Sequence, residues 1–335
     1  MNLILPLLSG ILAFVITFLI TPKLMKKMQI RKMVGRDVNK KDKREIPEMG
    51  GIALVMGFSV AVTAAIGVEK LLSTVQPDVI LAVIGVLFMT AFVGLVDDIS
   101  VLSPKVKVAL VFFAALPLVI VHPGSHRVLL PFGFSFTFPY YFYWIILVPF
   151  GITGAANAIN LSAGANGLET GETIIISSFL LLISIIKGSS LSTLLVFASL
   201  IGAALALYYF NRFPAKTFVG DVGTLSMGAL IAAGSIIGNI QIYGVILLIP
   251  AFVDVIFCEI AHEVIYRTER SKRTQVCKNP IIHEDGRLEV PKWAQSYDIR
   301  CFIMSRGPIS ERDLVRKILS FYALSGVIAL ALALL

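Results

Sequence analysis

Asp97 and Asp98 are adjacent aspartates directly after an apolar run that ends Gly94-Leu95-Val96. Two carboxylates this close repel each other, and at a membrane boundary they are costly unless a cation or a substrate group compensates them. That favours metal-dependent or proton-transfer chemistry over a pair of polar helix end-caps. A second polar stretch, NAINLSAGANGLE from Asn157 to Glu169, interrupts two apolar runs. Its amides and glutamate suit a hard cation and a polar ligand such as a nucleotide base or sugar, and its glycines let backbone N–H groups approach one closely. Asp221, between Gly220 and Val222, precedes another apolar run. It reads either as a helix N-cap or as one carboxylate of a Mg²⁺ site, which needs few protein ligands. Arg267, Arg270, Lys272 and Arg273 crowd into the segment RTERSKR. They suit a phosphate clamp, or a stop-transfer signal.

These groups have to be held by the rest of the chain, which is strongly apolar. Of 335 residues 57% are hydrophobic and 15% charged, with mean hydropathy +0.86. Globular domains carry about a quarter charged residues, so the composition indicates an all-α polytopic membrane protein. Ten apolar segments approach the length needed to cross about 30 Å of hydrocarbon: roughly 3–22, 50–67, 79–96, 107–121, 140–157, 173–187, 191–210, 224–239, 242–265 and 316–335. The first has no positive residue before it and several lysines after it, so it is expected to remain as a span. The loops at about 23–49, 97–106, 158–172, 211–223 and 266–315 carry nearly all the lysine and arginine, whereas the opposite loops hold only Lys70, Arg127 and Lys187. The positive-inside rule then puts both termini outside and those five loops, with every chemically loaded stretch, in the cytoplasm. The net charge of +8 is a topology signal. No nucleic-acid-binding fold accompanies it, so no nucleic-acid partner is expected. Three cysteines without a C-x-x-C spacing give no zinc site and no disulfide framework. His122 and His126, in an outer loop, read as solvated.

Four ordered motifs resemble the polyprenyl-phosphate N-acetylhexosamine-1-phosphate transferase superfamily over nearly the whole length. They are Gly35-x-Asp37-Val38-Asn39-Lys40 with Ile46-Pro47-Glu48, and Asp97-Asp98 with Lys107 nine residues on. Next come Asn157-Ala158-Ile159-Asn160 with Ala163-Gly164-Ala165-Asn166-Gly167-Leu168-Glu169, and Asn211-x-Phe213-Pro214 leading to Phe218-Val219-Gly220-Asp221. The NAIN…AGxNGLE form looks most like the eukaryotic and archaeal transferases that begin dolichol-linked glycan assembly. GDVGT looks closer to bacterial relatives, a mixture that suggests an archaeal-type member.

The resemblance implies ten spans in a single membrane domain of the cell membrane, a cytoplasmic active site and a homodimer. It also implies Mg²⁺-dependent transfer, with Mn²⁺ as an alternative ion, of N-acetylglucosamine-1-phosphate from UDP-N-acetylglucosamine to a polyprenyl phosphate, releasing UMP. Asn160 and Asp221 match metal ligands, Asn166 a uracil-contacting asparagine and Lys107 a phosphate-contacting lysine. Glu48 lies in a stretch that borders the nucleotide pocket, and Asn157 and Gly167 are expected to bind substrate. Asp97 and Asp98 match an essential pair, whose division between positioning and proton removal stays open. Family members carry histidine in the loop after the ninth span. Here that position reads Arg270-Ser271-Lys272-Arg273, so the pyrophosphate-clamp role is carried over to Arg270 and Lys272, with Arg273 also expected to bind substrate. Within the class, another UDP-N-acetylhexosamine or a UDP-N-acetylmuramoyl-pentapeptide is the alternative donor, though the NAIN form and the missing histidines disfavour the latter. A secondary transporter would place its polar breaks near mid-membrane in two related halves, whereas here they fall at span ends on one face.

Overall fold

The computed structural model describes residues 3–42, 44–69, 76–256, 280–290 and 298–335. Among the described residues, eight helical stretches are long and apolar enough to cross a membrane: Ile4–Ile30, Gly51–Val68, Pro77–Ser100, Pro104–Val121, Tyr140–Ser162, Leu168–Ile186, Leu191–Asn211 and Glu311–Leu334. The architecture is thus that of a mainly helical, polytopic integral membrane protein. Its helices are α1 (Ile4–Ile30), α2 (Gly51–Glu69), α3 (Pro77–Ser100), α4 (Pro104–Phe113), α5 (Leu116–Val121), α6 (Tyr140–Phe142), α7 (Val148–Ser162), α8 (Leu168–Ile186), α9 (Leu191–Asn211), α10 (Asp221–Ile237), α11 (Gln241–Leu247), α12 (Ile249–Val255), α13 (Ile299–Met304) and α14 (Glu311–Leu334). The expected eighth span coincides with α10, and the ninth begins as α11 and α12 and then passes outside the described residues.

Several helices run past the expected span ends. α1 continues through Lys23, Lys26 and Lys27 to Ile30, α3 includes Asp97 and Asp98, and α8 begins at Leu168. The loop expected over 158–172 therefore contracts to Ala163–Gly167, and that over 97–106 to Val101–Ser103. Hydropathy falls where side chains reach water, but the backbone gains helical hydrogen bonds on either side of that boundary. The chain is also not purely helical. Among the described residues it carries three antiparallel hairpins, β1 (Val34–Arg36) with β2 (Glu45–Pro47), β3 (Arg127–Leu129) with β4 (Ser135–Thr137), and β5 (Ile281–Ile282) with β6 (Leu288–Glu289). Cys301 is disulfide-bonded, contrary to the reading from cysteine spacing, and its partner lies outside the described residues. Non-local pairing of this kind leaves no spacing signature.

At the centre stands α10, packed against α2, α3, α7, α8 and α9. Every residue from Val222 to Ile237 is buried. At 17 residues it is about 25 Å long, short for a lipid-facing span. A helix surrounded by protein does not have to match the hydrocarbon thickness. Glycines allow its close contacts: a Cβ on Gly94 would lie 2.4 Å from the carbonyl carbon of Asp221, and one on Gly51 would lie 2.2 Å from the Cα of Gly223.

A methyl group at position 94 must therefore push α3 away from the start of α10. Gly94→Ala is expected to lower stability by about 1–3 kcal/mol, the usual cost of overpacking. Gly67→Ala, where nothing lies within 4 Å, should leave stability unchanged or raise it slightly. Thermal unfolding of the two variants in the same detergent checks the contrast.

Candidate active site

The start of α10 is also where the acidic residues meet. The end of α3 brings Asp98 against it, and the Asp98 carboxylate accepts the Asp221 N–H at 2.7 Å and the Val222 N–H at 3.1 Å. Asp98 thus caps α10 from another helix, satisfying N–H groups that have no partner within α10 and placing a negative charge at the positive end of its dipole. The preceding Gly220 has φ +72°, and a Cβ there would lie 2.7 Å from Asp98 Oδ2, so both conformation and space call for glycine.

Asp97, one residue earlier, points elsewhere. Its Oδ1 accepts the Leu102 N–H and its Oδ2 accepts from Lys107 Nζ at 2.9 Å. Lys107 stands in the first turn of α4, and its ammonium also donates to Asn160 Oδ1 at 2.9 Å and to Asp221 Oδ2. Asn160, near the end of α7, returns its amide to Asp221 Oδ1 and to Thr224 Oγ1, both at 2.8 Å. Oxygens from α3, α7 and α10 thereby converge on one cation position. The Lys107 side chain is 14% exposed, Asp97 12% and Asp221 28%. The cluster is recessed but open to a ligand.

Glu48 forms the flank. The β1–β2 hairpin is tied to the 211–220 segment by Phe218 N–H to Pro47 O, Gly50 N–H to Phe218 O and Gly51 N–H to Val219 O, each 2.8 Å. This holds the half-buried Glu48 and the Phe218 ring together against Gly35. Burial, and secondly the nearby Asp221 charge, raise the Glu48 pKa above its ordinary 4.5.

A second network lies beside the first. Asn166 is 5% exposed; its amide donates to Asp37 Oδ2 at 3.1 Å, and its backbone N–H donates to Glu311 Oε1 at 2.9 Å. Asn39 donates to the same Glu311 oxygen and to Gly164 O, both at 3.1 Å, and Lys40 pairs with Glu311. Gly167, at φ +85°, occupies the position before α8 and faces Arg212. The Asn157 side chain is turned back to Thr153 O at 2.9 Å and does not join the cluster. Arg270, Lys272 and Arg273 lie outside the described residues. Asp37, Asn39 and Glu311 received no role from sequence, although Asp37 and Asn39 stand in a segment that carries the resemblance. Thr224 and Phe218 were likewise missed. Only their proximity to Asp221 in the chain could have suggested them.

His122 and His126 pack on the rings of Tyr140 and Trp144, with centroids 5.3–5.5 Å apart. Among the described residues no group of three or more His, Cys, Asp or Glu side chains is placed to hold a metal. The donor set around Lys107 is instead two carboxylates and an amide carbonyl.

A bundle of apolar helices thus gathers carboxylate, amide and lysine groups at one end. Comparison with known proteins gives the class. Residues 80–239 match the model of glycosyl transferase family 4. A protein of Saccharolobus solfataricus, provisionally named UDP-N-acetylglucosamine–dolichyl-phosphate N-acetylglucosaminephosphotransferase, is 35% identical over 257 residues, covering 76% of this chain and 78% of the relative. A protein of Sulfolobus acidocaldarius with the same provisional name is 33% identical over 239 residues, 71% of each chain. The phospho-N-acetylmuramoyl-pentapeptide-transferase of Streptococcus agalactiae serotype Ia is 30% identical over 248 residues, 69% of this chain and 73% of that protein. The chain belongs to the polyprenyl-phosphate hexosamine-1-phosphate transferase superfamily and is a sugar-phosphate transferase. This membership disposes of the transporter alternative.

The raised pKa of Glu48 has a defined sign for stability. Unfolded, Glu48 ionises near 4.5, whereas the native state keeps its proton to higher pH. Wild type therefore loses stability from this group as pH rises above about 4.5 and through the raised native pKa, with no further change beyond it. Glu48→Gln lacks this loss. Its melting temperature relative to wild type is expected to be higher at pH 8 than at pH 4, and an equal difference at both would refute the assignment.

Proposed function

We propose that the protein transfers N-acetylglucosamine-1-phosphate from UDP-N-acetylglucosamine to a polyprenyl phosphate of the dolichyl type. UMP is released and N-acetylglucosamine-diphospho-polyprenol is left in the membrane, the first membrane step of lipid-linked glycan assembly. The observation that carries this reading is the convergence of Asp97, Asn160 and Asp221 oxygens on one cation position. Two archaeal relatives bear names that describe this transfer.

The oxygen donors fit Mg²⁺, with Mn²⁺ as the alternative, since such ions take one or two carboxylates and leave room for substrate phosphates. Asn160 and Asp221 would hold the ion, which when bound supplies neutralisation of charge on the donor pyrophosphate. Asp98 keeps the start of α10, and with it Asp221, in place. Lys107 presents its ammonium to a phosphate, and Asp97 steers it there or takes the last acceptor proton. In the transfer an acceptor phosphate oxygen bonds to the β-phosphorus of the donor as the bond to the UMP oxygen breaks. The acceptor is already ionised near neutrality, so a strong base has little to add. Glu48, Phe218, Asn166 and Gly167 would border the nucleotide, and the pyrophosphate clamp is assigned to Arg270 and Lys272 on the resemblance alone. The lysine and arginine distribution supports outside termini and a site facing the cytoplasm, while ten spans in a single domain of the cell membrane and pairing as a homodimer rest on the resemblance to the family.

The test is transfer of label from UDP-N-acetylglucosamine to polyprenyl phosphate by purified protein, with Mg²⁺ or EDTA. Chelation is expected to abolish transfer, and Asp221→Ala to reduce it at least about a hundredfold. Transfer from UDP-N-acetylmuramoyl-pentapeptide in place of UDP-N-acetylglucosamine would keep the chemistry and reassign the donor, whereas turnover undiminished in Asp221→Ala would overturn the metal site. Lys107→Met removes the phosphate contact and leaves Asp97 and Asp221 without their shared cation. It should lower kcat by about 100- to 1,000-fold and also lower the melting temperature.

A further inference from the structure

The segment between α9 and α10 and the first turns of α14 carry cations that the transfer does not use. Arg212 and Lys216 flank Phe213 and Pro214, Arg312 and Arg316 stand one turn apart at the start of α14, and all four are exposed. Arg316 pairs with Asp313 at 3.3 Å. Among the described residues, Arg212, Lys216 and Arg312 have no carboxylate within ion-pair distance. They lie over aromatic rings instead. Arg212 and Lys216 stand 5.4 and 5.5 Å from the Tyr209 centroid, and Arg312 stands 5.6 Å from that of Phe213, which Lys40 approaches at 4.3 Å. Cations gathered this closely repel one another unless an anion joins them, and arginine forks suit phosphate.

The surface around them is concave. Cavities of about 310 and 340 Å³ share Arg212, Phe213 and Arg312 as walls. The first also has Asn166 as a wall and continues past Tyr208, Val315 and Leu319 on the membrane-spanning helices α9 and α14. The site is therefore basic at the helix ends and apolar along the helices, which fits a phosphate head with a hydrocarbon tail. Lys107 and Asp221 line neither cavity, and Asn166, at the wall of the first, gives its amide to Asp37 and its backbone N–H to Glu311. A headgroup held by Arg212 and Arg312 does not rest on Lys107 or Asp221, which fits a resident lipid rather than the acceptor.

We infer that this groove binds the phosphate headgroup of an anionic membrane phospholipid, with Arg212 and Arg312 as its principal contacts. Arg312 follows Glu311, which holds the Asn166 backbone and Asn39. A bound lipid thus also steadies the Ala163–Gly167 loop. The inference rests on the membrane placement of α9 and α14 and is independent of which sugar is transferred.

The experiment is native mass spectrometry of delipidated protein titrated with phosphatidylglycerol or with phosphatidylcholine of the same chains. Wild type is expected to bind the anionic lipid at least tenfold more tightly. Arg212→Gln and Arg312→Gln should each reduce that preference about fivefold, and the double variant should abolish it. Lys26→Gln/Lys27→Gln, which removes exposed cations of α1 on the same end, should retain it. The single variants keep the test decisive should the double variant fail to fold. Equal preference in wild type and both single variants, or equal loss in the α1 variant, would overturn the site. Displacement by millimolar inorganic phosphate would point to a soluble anion and overturn the lipid assignment. Arg312-dependent binding of polyprenyl phosphate in preference to phosphatidylglycerol would make the groove an acceptor site and also overturn it.

Discussion

Four carboxylates, from Glu48, Asp97, Asp98 and Asp221, are held close together at the end of a membrane bundle, and their mutual repulsion constrains everything around them. The chain disperses that charge in two ways. Asp98 is spent on the backbone N–H groups that open α10, where a helix can accept a negative charge without a counter-ion. Asp97 and Asp221 share one lysine, whose stem comes from a different helix and whose ammonium also meets the Asn160 carbonyl. The arrangement works only if α3 and α10 nearly touch, which is why Gly94 and Gly220 stand at the contact.

The central helix follows from the same constraint. α10 can be short because protein surrounds it, and its first turn can be polar because Asp98, Asn160 and Lys107 satisfy it. Around it, the hairpin at β1–β2 and the segment before α10 pair their backbones, so the glutamate of one and the phenylalanine of the other line one flank. Glu311 closes the opposite side by binding the first connecting segment and the Asn166 loop at once. Three segments far apart in the chain are thereby stitched at one end of the bundle.

Much of this was legible beforehand, though unevenly. The helical spans were visible because apolar length is a local sum, and the placement of the chemical groups at one end followed from where lysine and arginine accumulate. Asp97, Lys107, Asn160 and Asp221 were named as a set on motif order, and in the structure they touch. Asn157 was named on the same motif and turns away, since its position one turn before Asn160 on α7 directs its amide to Thr153. Helix ends were misjudged wherever hydropathy dropped before the backbone bonding stopped, as at Lys23–Ile30 and Leu168–Glu172.

Sequence alone determined the membrane character, the family and the inventory of reactive groups, because each depends on residue type or on order along the chain. Only the tertiary structure decided that Asp98 caps α10 while its neighbour Asp97 binds Lys107, that Asn166 is held by Asp37 and Glu311, and that Arg212 and Arg312 share a groove. Hydrogen bonds between residues separated by more than a hundred positions depend on which helix faces pack together, and no local pattern of residues encodes that.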